Sequence, residues 1–98
     1  MTIERAAAVP TKKIDNERVI VTEWRFAPGA ETGWHRHGHD YVVCPVTDGT
    51  LLLENPDGSV EAELKIGQPY FRNLGVEHNV INSGASELVF IEVELKQG

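Results

Sequence analysis

Three of the four histidines in this chain fall within five positions, at His35, His37 and His39. Neutral imidazole is the commonest metal ligand in proteins near physiological pH. Alternate residues of an extended strand point to one face, so these rings can all be presented on the same side. His78, the fourth histidine, can join them if the chain folds back to pair its own strand with this one. The pattern predicts a metal site assembled between strands.

Strand patterns dominate the rest of the chain. Segments with alternating polarity, rich in β-branched and aromatic residues, are separated by turn signals. Pro28-Gly29 predicts a turn, Asp48-Gly49 predicts a hairpin, and Asn55-Pro56-Asp57-Gly58 is the strongest turn signal in the chain. No segment sustains a helical period, and short strands at spacings of roughly 8–12 residues are typical of an all-β sandwich or barrel. The predicted strands are 18–26, 31–37, 41–47, 50–54, 60–66, 67–71, 77–82 and 87–95.

The length of 98 residues predicts one domain. Residues 1–17 combine a short alanine run, Pro10 and a polar stretch, and we predict that they form an N-terminal arm. Residues 18–98 carry the strand patterns and are predicted to form the β-barrel domain. We expect the arm to cover an edge strand, either of its own barrel or of a neighbour's.

Composition excludes several classes of function. The net charge is −6 and the lysines and arginines are scattered, so no basic surface for nucleic acid is expected. No apolar run is long enough to span a membrane, and the N-terminus lacks the features of a signal peptide. The single cysteine, Cys44, cannot form an internal disulfide. These features predict a cytoplasmic enzyme or binding protein without a membrane partner.

Two segments of the chain resemble the signature of the cupin superfamily. The first cupin motif reads G-x5-H-x-H-x3-4-E-x6-G, and here Gly29 is followed at its spacing by His35 and His37, with Gly49 closing the motif. The second reads G-x5-P-x-G-x2-H-x3-N. The chain matches it with Gly67, Gly75, His78 and Asn82 and has Asn73 in place of the proline.

The resemblance spans residues 29–82 and implies a small single-domain cupin. It implies an all-β fold, the double-stranded β-helix or jelly-roll barrel, and one divalent transition metal bound by His35, His37 and His78. Three imidazoles suit Fe, Ni, Zn, Mn or Cu, and they leave positions open for water, substrate or dioxygen.

The chain departs from the cupin pattern at the motif-one glutamate. Tyr41 and Val42 stand where that residue is expected. One interpretation is a site of three histidines alone, as in the three-histidine cupins typified by the cysteine dioxygenase-like group. The other is that a nearby side chain, Tyr41, His39 or Asp40, takes the fourth place.

Other side chains are candidates for contact with a substrate. Arg72 and Arg25 are the best candidates to bind a substrate carboxylate, because guanidinium holds carboxylates with two parallel hydrogen bonds. Tyr41 is a candidate pocket wall or hydrogen-bond donor. We expect Glu92 and Glu94 to face solvent from the last strand, with one of them as an alternative partner for a ligand histidine.

Three hypotheses of function follow. The first is a small metal-dependent oxygenase-like enzyme, or a lyase or isomerase, acting on a small polar organic acid or amino-acid derivative; some small cupins are associated with catabolism of amino acids such as β-alanine. The second is a non-catalytic module that binds a small ligand or metal as a sensor or store. The third is a structural dimer whose metal stabilises the barrel.

A loose arm and exposed edges predict a homodimer.

Overall fold

The computed structural model describes residues 5–96, and in that range the chain forms nine β-strands joined by turns and loops. The prediction of an all-β domain is confirmed. Within the described residues no helix has the length and apolar character needed to span a membrane. The strands are β1 (Val9–Asp15), β2 (Val19–Phe26), β3 (His35–Arg36), β4 (Asp40–Pro45), β5 (Gly49–Asn55), β6 (Gly58–Leu64), β7 (Tyr70–Arg72), β8 (Glu77–Asn82) and β9 (Leu88–Leu95).

The strands form two sheets in which all neighbours are antiparallel. The five-stranded sheet has the order β1-β2-β9-β4-β7, and the four-stranded sheet has the order β3-β8-β5-β6. The Asn55–Gly58 turn closes a hairpin between β5 and β6, as predicted. The prediction of a hairpin at Asp48-Gly49 was wrong, because β4 and β5 lie in different sheets and this turn carries the chain from one sheet to the other.

Apolar side chains on the inner faces of the two sheets form the core. The rings of Phe26 and Phe90 pack with their centroids 5.5 Å apart, and Leu51, Leu64 and Leu88 are almost completely buried. Burying each of these side chains stabilises the fold by roughly 1.5–3 kcal/mol. Packing is tight where the chain changes sheets: a Cβ at Gly49 would lie 2.5 Å from a methyl carbon of Leu88.

The N-terminal segment continues the five-stranded sheet. Strand β1 pairs along β2 with an irregularity between Lys12 and Ile14, and its side chains are exposed. Ala8, just before it, is buried in the core cluster, and Ala7 forms a bridge with Glu31. Residues 1–4 of the predicted arm lie outside the described residues. Strand β1 is the outer strand of the five-stranded sheet. The division into an arm (1–17) and a barrel (18–98) stays a prediction.

Asn82 connects three segments of backbone at the end of β8. Its side chain is only 1% exposed, and Nδ2 donates to the carbonyl oxygens of Phe26, Ala27 and Ser86 at 3.2, 3.3 and 2.9 Å. Its Oδ1 accepts a hydrogen bond from the backbone nitrogen of Gly84. The side chain therefore links the end of β2 to the loop that leads into β9.

We expect Asn82→Ala to lower the free energy of unfolding by about 2–4 kcal/mol, because it removes the hydrogen bonds that a buried side chain makes to four backbone groups. Urea denaturation measures the change. Asn55→Ala is the matched control: Asn55 caps an exposed turn through one bond to the backbone nitrogen of Asp57, so its loss should cost less than about 1 kcal/mol. Equal effects of the two substitutions would contradict the assignment.

Candidate functional site

Strand pairing brings three histidines to one point, and we call His35, His37 and His78 the histidine triad. His35 on β3 and His78 on β8 are direct cross-strand partners. His37 follows the end of β3, where its backbone nitrogen donates to Val76 and its carbonyl accepts from Gly75, both at 2.9 Å. The two glycine-rich segments of the cupin resemblance therefore meet at this point.

The ring nitrogens of the triad face one another. His37 Nε2 lies 3.0 Å from Nε2 of His35 and 3.0 Å from Nε2 of His78, and one nitrogen from each ring lies within 4.8 Å of the others. Two nitrogens bound at about 2.1 Å to one ion are about 3.0 Å apart when they subtend a right angle at it. The two spacings to His37 therefore each fit adjacent corners of an octahedral metal site.

Two rings of the triad are in the neutral state that metal binding requires. Burial lowers the pKa of His37 to about 3, with a further contribution from the neighbouring His35 and His78. Burial likewise lowers the pKa of His78 to about 4, assisted by His35 and Arg72. Both rings are neutral at pH 7, and the Nδ1 of His35 donates to the carbonyl of Gly33 at 2.8 Å, which favours the Nδ1–H tautomer of that ring.

Tyr41 packs against the triad. Its ring stacks on that of His37 with centroids 3.9 Å apart and an interplanar angle of 18°. Burial, together with the charge of Glu92, raises the pKa of the Tyr41 phenol well above its usual range. The phenol therefore stays protonated, and a neutral phenol is a weak metal ligand; the structure places Tyr41 as a wall against His37.

His39, the other predicted fourth ligand, does not join the triad. Two groups of histidine and acidic side chains within residues 5–96 could hold a metal ion, and neither contains His39 or Asp40. A backbone bend at Gly38 and His39 interrupts the alternation of the strand. The carboxylate of Asp40 instead accepts a hydrogen bond from the backbone nitrogen of Leu74 at 2.7 Å.

Two cavities adjoin the triad. An inner cavity of about 30 Å³ lies inside the barrel, and a wider one of about 270 Å³ opens beside β3. The inner cavity is lined by Tyr41, Val43, Leu51, Leu53, Tyr70, Arg72, His78, Val80, Phe90 and Glu92. The wider one is lined by Trp24, Thr32, His35, Arg36, His37, Gly38, Glu92 and Glu94. Among the described residues, Glu92 alone lines both cavities.

The expectation that Glu92 and Glu94 face solvent was wrong. Glu92 is 8% exposed and Glu94 is half-buried, and each points to the inner side of the five-stranded sheet. One ligand atom each of His37, Glu92 and Glu94 lies within 4.8 Å of the others. Burial and the adjacent charge of Glu94 raise the pKa of Glu92 to about 7, although a hydrogen bond with Trp24 opposes the shift.

A signal for this placement was present in the sequence. Glu92 and Glu94 share strand parity with Leu88 and Phe90, which are buried. A strand face that begins with two core residues turns its later members toward the same interior. Acidic side chains on that face are therefore directed into the barrel.

Of the two predicted substrate-binding arginines, the structure brings only Arg72 near the triad. Its guanidinium lies 4.5 Å from the centroid of the Tyr70 ring, and within residues 5–96 it forms no salt bridge. Arg25 lies on the outer face of β2, where it donates to Glu87 at 2.7 Å and to Glu23 at 3.3 Å. Strand parity excludes Arg25 from both cavities, since it points away from its neighbours Trp24 and Phe26.

Comparison with known proteins agrees with this architecture. A family model described as a cupin domain matches residues 22–94. The chain is 70% identical over 92 residues to the Beta-alanine degradation protein BauB of Pseudomonas aeruginosa, covering 94% of this chain and 97% of that protein. It is 22% identical to an oxalate-binding protein of Thermotoga maritima, over 93% of this chain and 74% of that protein.

A solved structure confirms the fold class. The crystal structure of a cupin domain from Bordetella pertussis superposes with a TM-score of 0.95 at 60% identity, covering 98% of this chain and all of that one. A double-stranded β-helix protein from Klebsiella pneumoniae, 21% identical, has the same fold with a TM-score of 0.76 over 97% of this chain and 77% of that one. The predicted double-stranded β-helix barrel is thereby confirmed.

We expect His35→Ala, His37→Ala and His78→Ala each to weaken binding of Ni²⁺ or Zn²⁺ at least about 100-fold, because each removes one of three ligand nitrogens. Calorimetric titration of chelator-treated protein measures the affinity. His39→Ala is the matched control and should bind as the unsubstituted protein does. Loss of affinity in the His39 variant, or its retention in any of the other three, would contradict the proposed ligand set.

Proposed function

The chain belongs to the cupin family, and we propose that it is a metal-binding, oxygenase-like enzyme acting on a small organic acid or amino-acid derivative. A lyase or isomerase reaction on the same substrate class is compatible with the same site. One observation carries the proposal: three imidazoles converge beside cavities that are also lined by Arg72 and Glu92.

The histidine triad would hold one divalent transition metal, with Fe, Ni, Zn, Mn and Cu all compatible with imidazole ligands. When bound, such an ion orients and polarises a substrate or supports oxygen chemistry. The contribution of the chain is to hold three nitrogens in place before binding. Apolar side chains in the lining of the inner cavity lower the local dielectric, which strengthens any electrostatic contact with a substrate.

The charges beside the triad suit a substrate that carries both a carboxylate and an amine. Arg72 is the candidate for the carboxylate, since a guanidinium forms paired hydrogen bonds with it. Glu92 and Glu94 are candidates for a protonated amine, and the Trp24 indole beside them can contact the same cation. A relative that is 70% identical is named for β-alanine degradation, and β-alanine has these two groups. We therefore propose β-alanine or a compound derived from it as substrate.

A second candidate function is ligand binding without reaction. The more distant Thermotoga maritima relative is named an oxalate-binding protein, and a dicarboxylate could reach both Arg72 and a metal on the triad. In that case the site would serve as a sensor or store. A purely structural metal is the third possibility, in which the ion stabilises the barrel and binds no ligand.

The test is an assay of metal-loaded protein with β-alanine and, separately, with oxalate. We expect product formation from β-alanine or a derivative, measured by mass spectrometry with oxygen uptake followed in parallel, and no turnover of oxalate. Arg72→Gln should raise KM at least about 10-fold, because a charged hydrogen bond of roughly 1.5–3 kcal/mol is lost.

Arg25→Gln is the control for that substitution and should leave KM unchanged, because Arg25 lies on the outer sheet face. Calorimetric binding of oxalate with no turnover of any amino acid would favour the binding module. If removal of the metal lowers only the melting temperature, and the protein binds neither β-alanine nor oxalate, the enzyme and the binding-module proposals are both contradicted.

We also propose a homodimer in the cytoplasm, as predicted from the sequence. Support for the dimer comes from the five-stranded sheet, whose register aligns an apolar row across the face turned away from the triad. Ile14 and Phe71, at the two ends of the row, are 47% and 48% exposed. The row consists of Ile14, Val21, Val93, Val42 and Phe71.

Phe71→Lys should convert the dimer to a monomer in analytical ultracentrifugation, because it places a charge within an apolar interface. Val60→Lys, on β6 of the other sheet, changes a side chain that is also exposed and should leave the dimer intact. A wild-type protein that sediments as a monomer would overturn this proposal.

A further inference from the structure

Asn79 lies beside His78 on β8 but points to the opposite face of the strand. Its side chain is 6% exposed, although no part of it lines the cavities at the triad. The Oδ1 atom accepts a hydrogen bond from the backbone nitrogen of Gly33 at 3.0 Å. The carbonyl of the same Gly33 accepts from Nδ1 of His35 at 2.8 Å. One glycine residue thus connects Asn79 to a ring of the triad.

We propose that Asn79 is a positioning residue of the metal site: it fixes Gly33, and Gly33 fixes the tautomer and orientation of the His35 ring. The inference rests on the proposed metal-binding function. A ligand imidazole commonly donates its second ring N–H to a carbonyl or carboxylate, and that bond decides which nitrogen is free for the metal. Here the accepting carbonyl is itself held by a buried side chain.

The orientation of the Asn79 amide is determined by its other contacts. Nδ2 donates to Oε1 of Glu31 at 2.8 Å and to Oε1 of Glu54 at 2.9 Å. A carboxylate only accepts, so the amide nitrogen must face the two glutamates and the oxygen must face Gly33. Arg5 pairs with Glu31 at 3.2 Å and offsets part of the negative charge there.

Gly33 needs this external support. Its φ of +87° is in the left-handed region, and glycine has little intrinsic preference among backbone conformations. Thr32 Oγ1 also donates to the Gly33 carbonyl at 2.9 Å, and it accepts from the backbone nitrogen of Val80 at 3.2 Å. Asn79 of β8 therefore holds the backbone nitrogen of Gly33. The Thr32 hydroxyl holds the Gly33 carbonyl, and this hydroxyl is itself bonded to Val80 of β8.

Asn82 provides a matched control on the same strand. It is also buried and hydrogen-bonded, but its partners lie at the end of β2 and in the loop before β9. Loss of Asn82 should therefore destabilise the protein without altering the affinity of folded molecules for metal. A merely structural role for Asn79 would give the same result as Asn82.

The first test measures Ni²⁺ affinity by chelator competition at low temperature, corrected for the folded fraction. We expect Asn79→Ala to weaken binding about 10–100-fold, the range typical when the support of a ligand histidine is removed. Asn82→Ala should stay within about 3-fold of the unsubstituted protein on the same scale. Unchanged affinity in folded Asn79→Ala, or an equal loss in Asn82→Ala, would overturn the proposal.

The second test exchanges hydrogen-bonding groups to restore the contact. In the triple variant Asn79→Asp with Glu31→Gln and Glu54→Gln, both carboxylates that accept from the Asn79 amide nitrogen become amides. The introduced aspartate would keep an oxygen for the Gly33 N–H, and the two introduced glutamines would supply donors in return. Affinity close to that of the unsubstituted protein is the expected rescue, and affinity as weak as that of Asn79→Ala would overturn the proposal.

The third test requires no metal. Long-range ¹H–¹⁵N NMR spectra of the metal-free protein should show His35 as the Nδ1–H tautomer and Asn79→Ala as a mixture of tautomers. If the unsubstituted protein binds no metal, the proposed function fails while these spectra still decide the role of Asn79. An Nε2–H tautomer of His35 in the unsubstituted protein would overturn the inference even if Asn79→Ala does not fold.

Discussion

The site depends on backbone pairing that holds three imidazole rings against one another. Nε2 of His37 lies 3.0 Å from Nε2 of both His35 and His78, and desolvation disfavours the charged forms of His37 and His78. Rigid backbone contacts keep the rings in this arrangement. The β3–β8 pairing fixes His35 opposite His78, and reciprocal bonds with Gly75 and Val76 fix His37. Three imidazole nitrogens held in this way could bind one divalent cation.

The rest of the barrel is arranged around this constraint. Phe26, Leu51 and Leu88 are buried in the core, and polar side chains gather at the inner cavity. There the inner faces of β8 and β9 contribute His78 and Glu92, respectively. Side chains on the outer face of β8 stabilise the backbone near the triad, as Asn79 does by accepting a hydrogen bond from the backbone nitrogen of Gly33. The structural and chemical roles of β8 are thus divided between its two faces.

Sequence patterns gave the class of the fold and identified the three histidines that converge. The alternation of His35 and His37 and the spacing to His78 identified residues that the fold does bring together, and strand periodicity gave the all-β class. What they could not give was which strands pair. The Asp48-Gly49 turn has the residues of a hairpin, yet it links different sheets, because pairing is decided by long-range packing rather than turn chemistry. Arg25 was predicted to bind substrate because of the chemistry of its guanidinium group. That chemistry does not reveal which face of a strand points into the barrel, and the structure places Arg25 on the outer face.

The replacement of the motif-one glutamate by Tyr41 changes the charge balance of the site. Three neutral imidazoles would leave the charge of a divalent ion uncompensated by direct ligands, whereas a glutamate would cancel part of it. Tyr41 restores packing against His37 but adds no charge, because burial keeps its phenol protonated. The carboxylate beside the triad is instead that of Glu92, on a different strand and lining both cavities. The acidic group is thereby on the cavity wall rather than in the ligand set. Because its pKa is raised to about 7, a cation bound in the cavity would favour its ionised form.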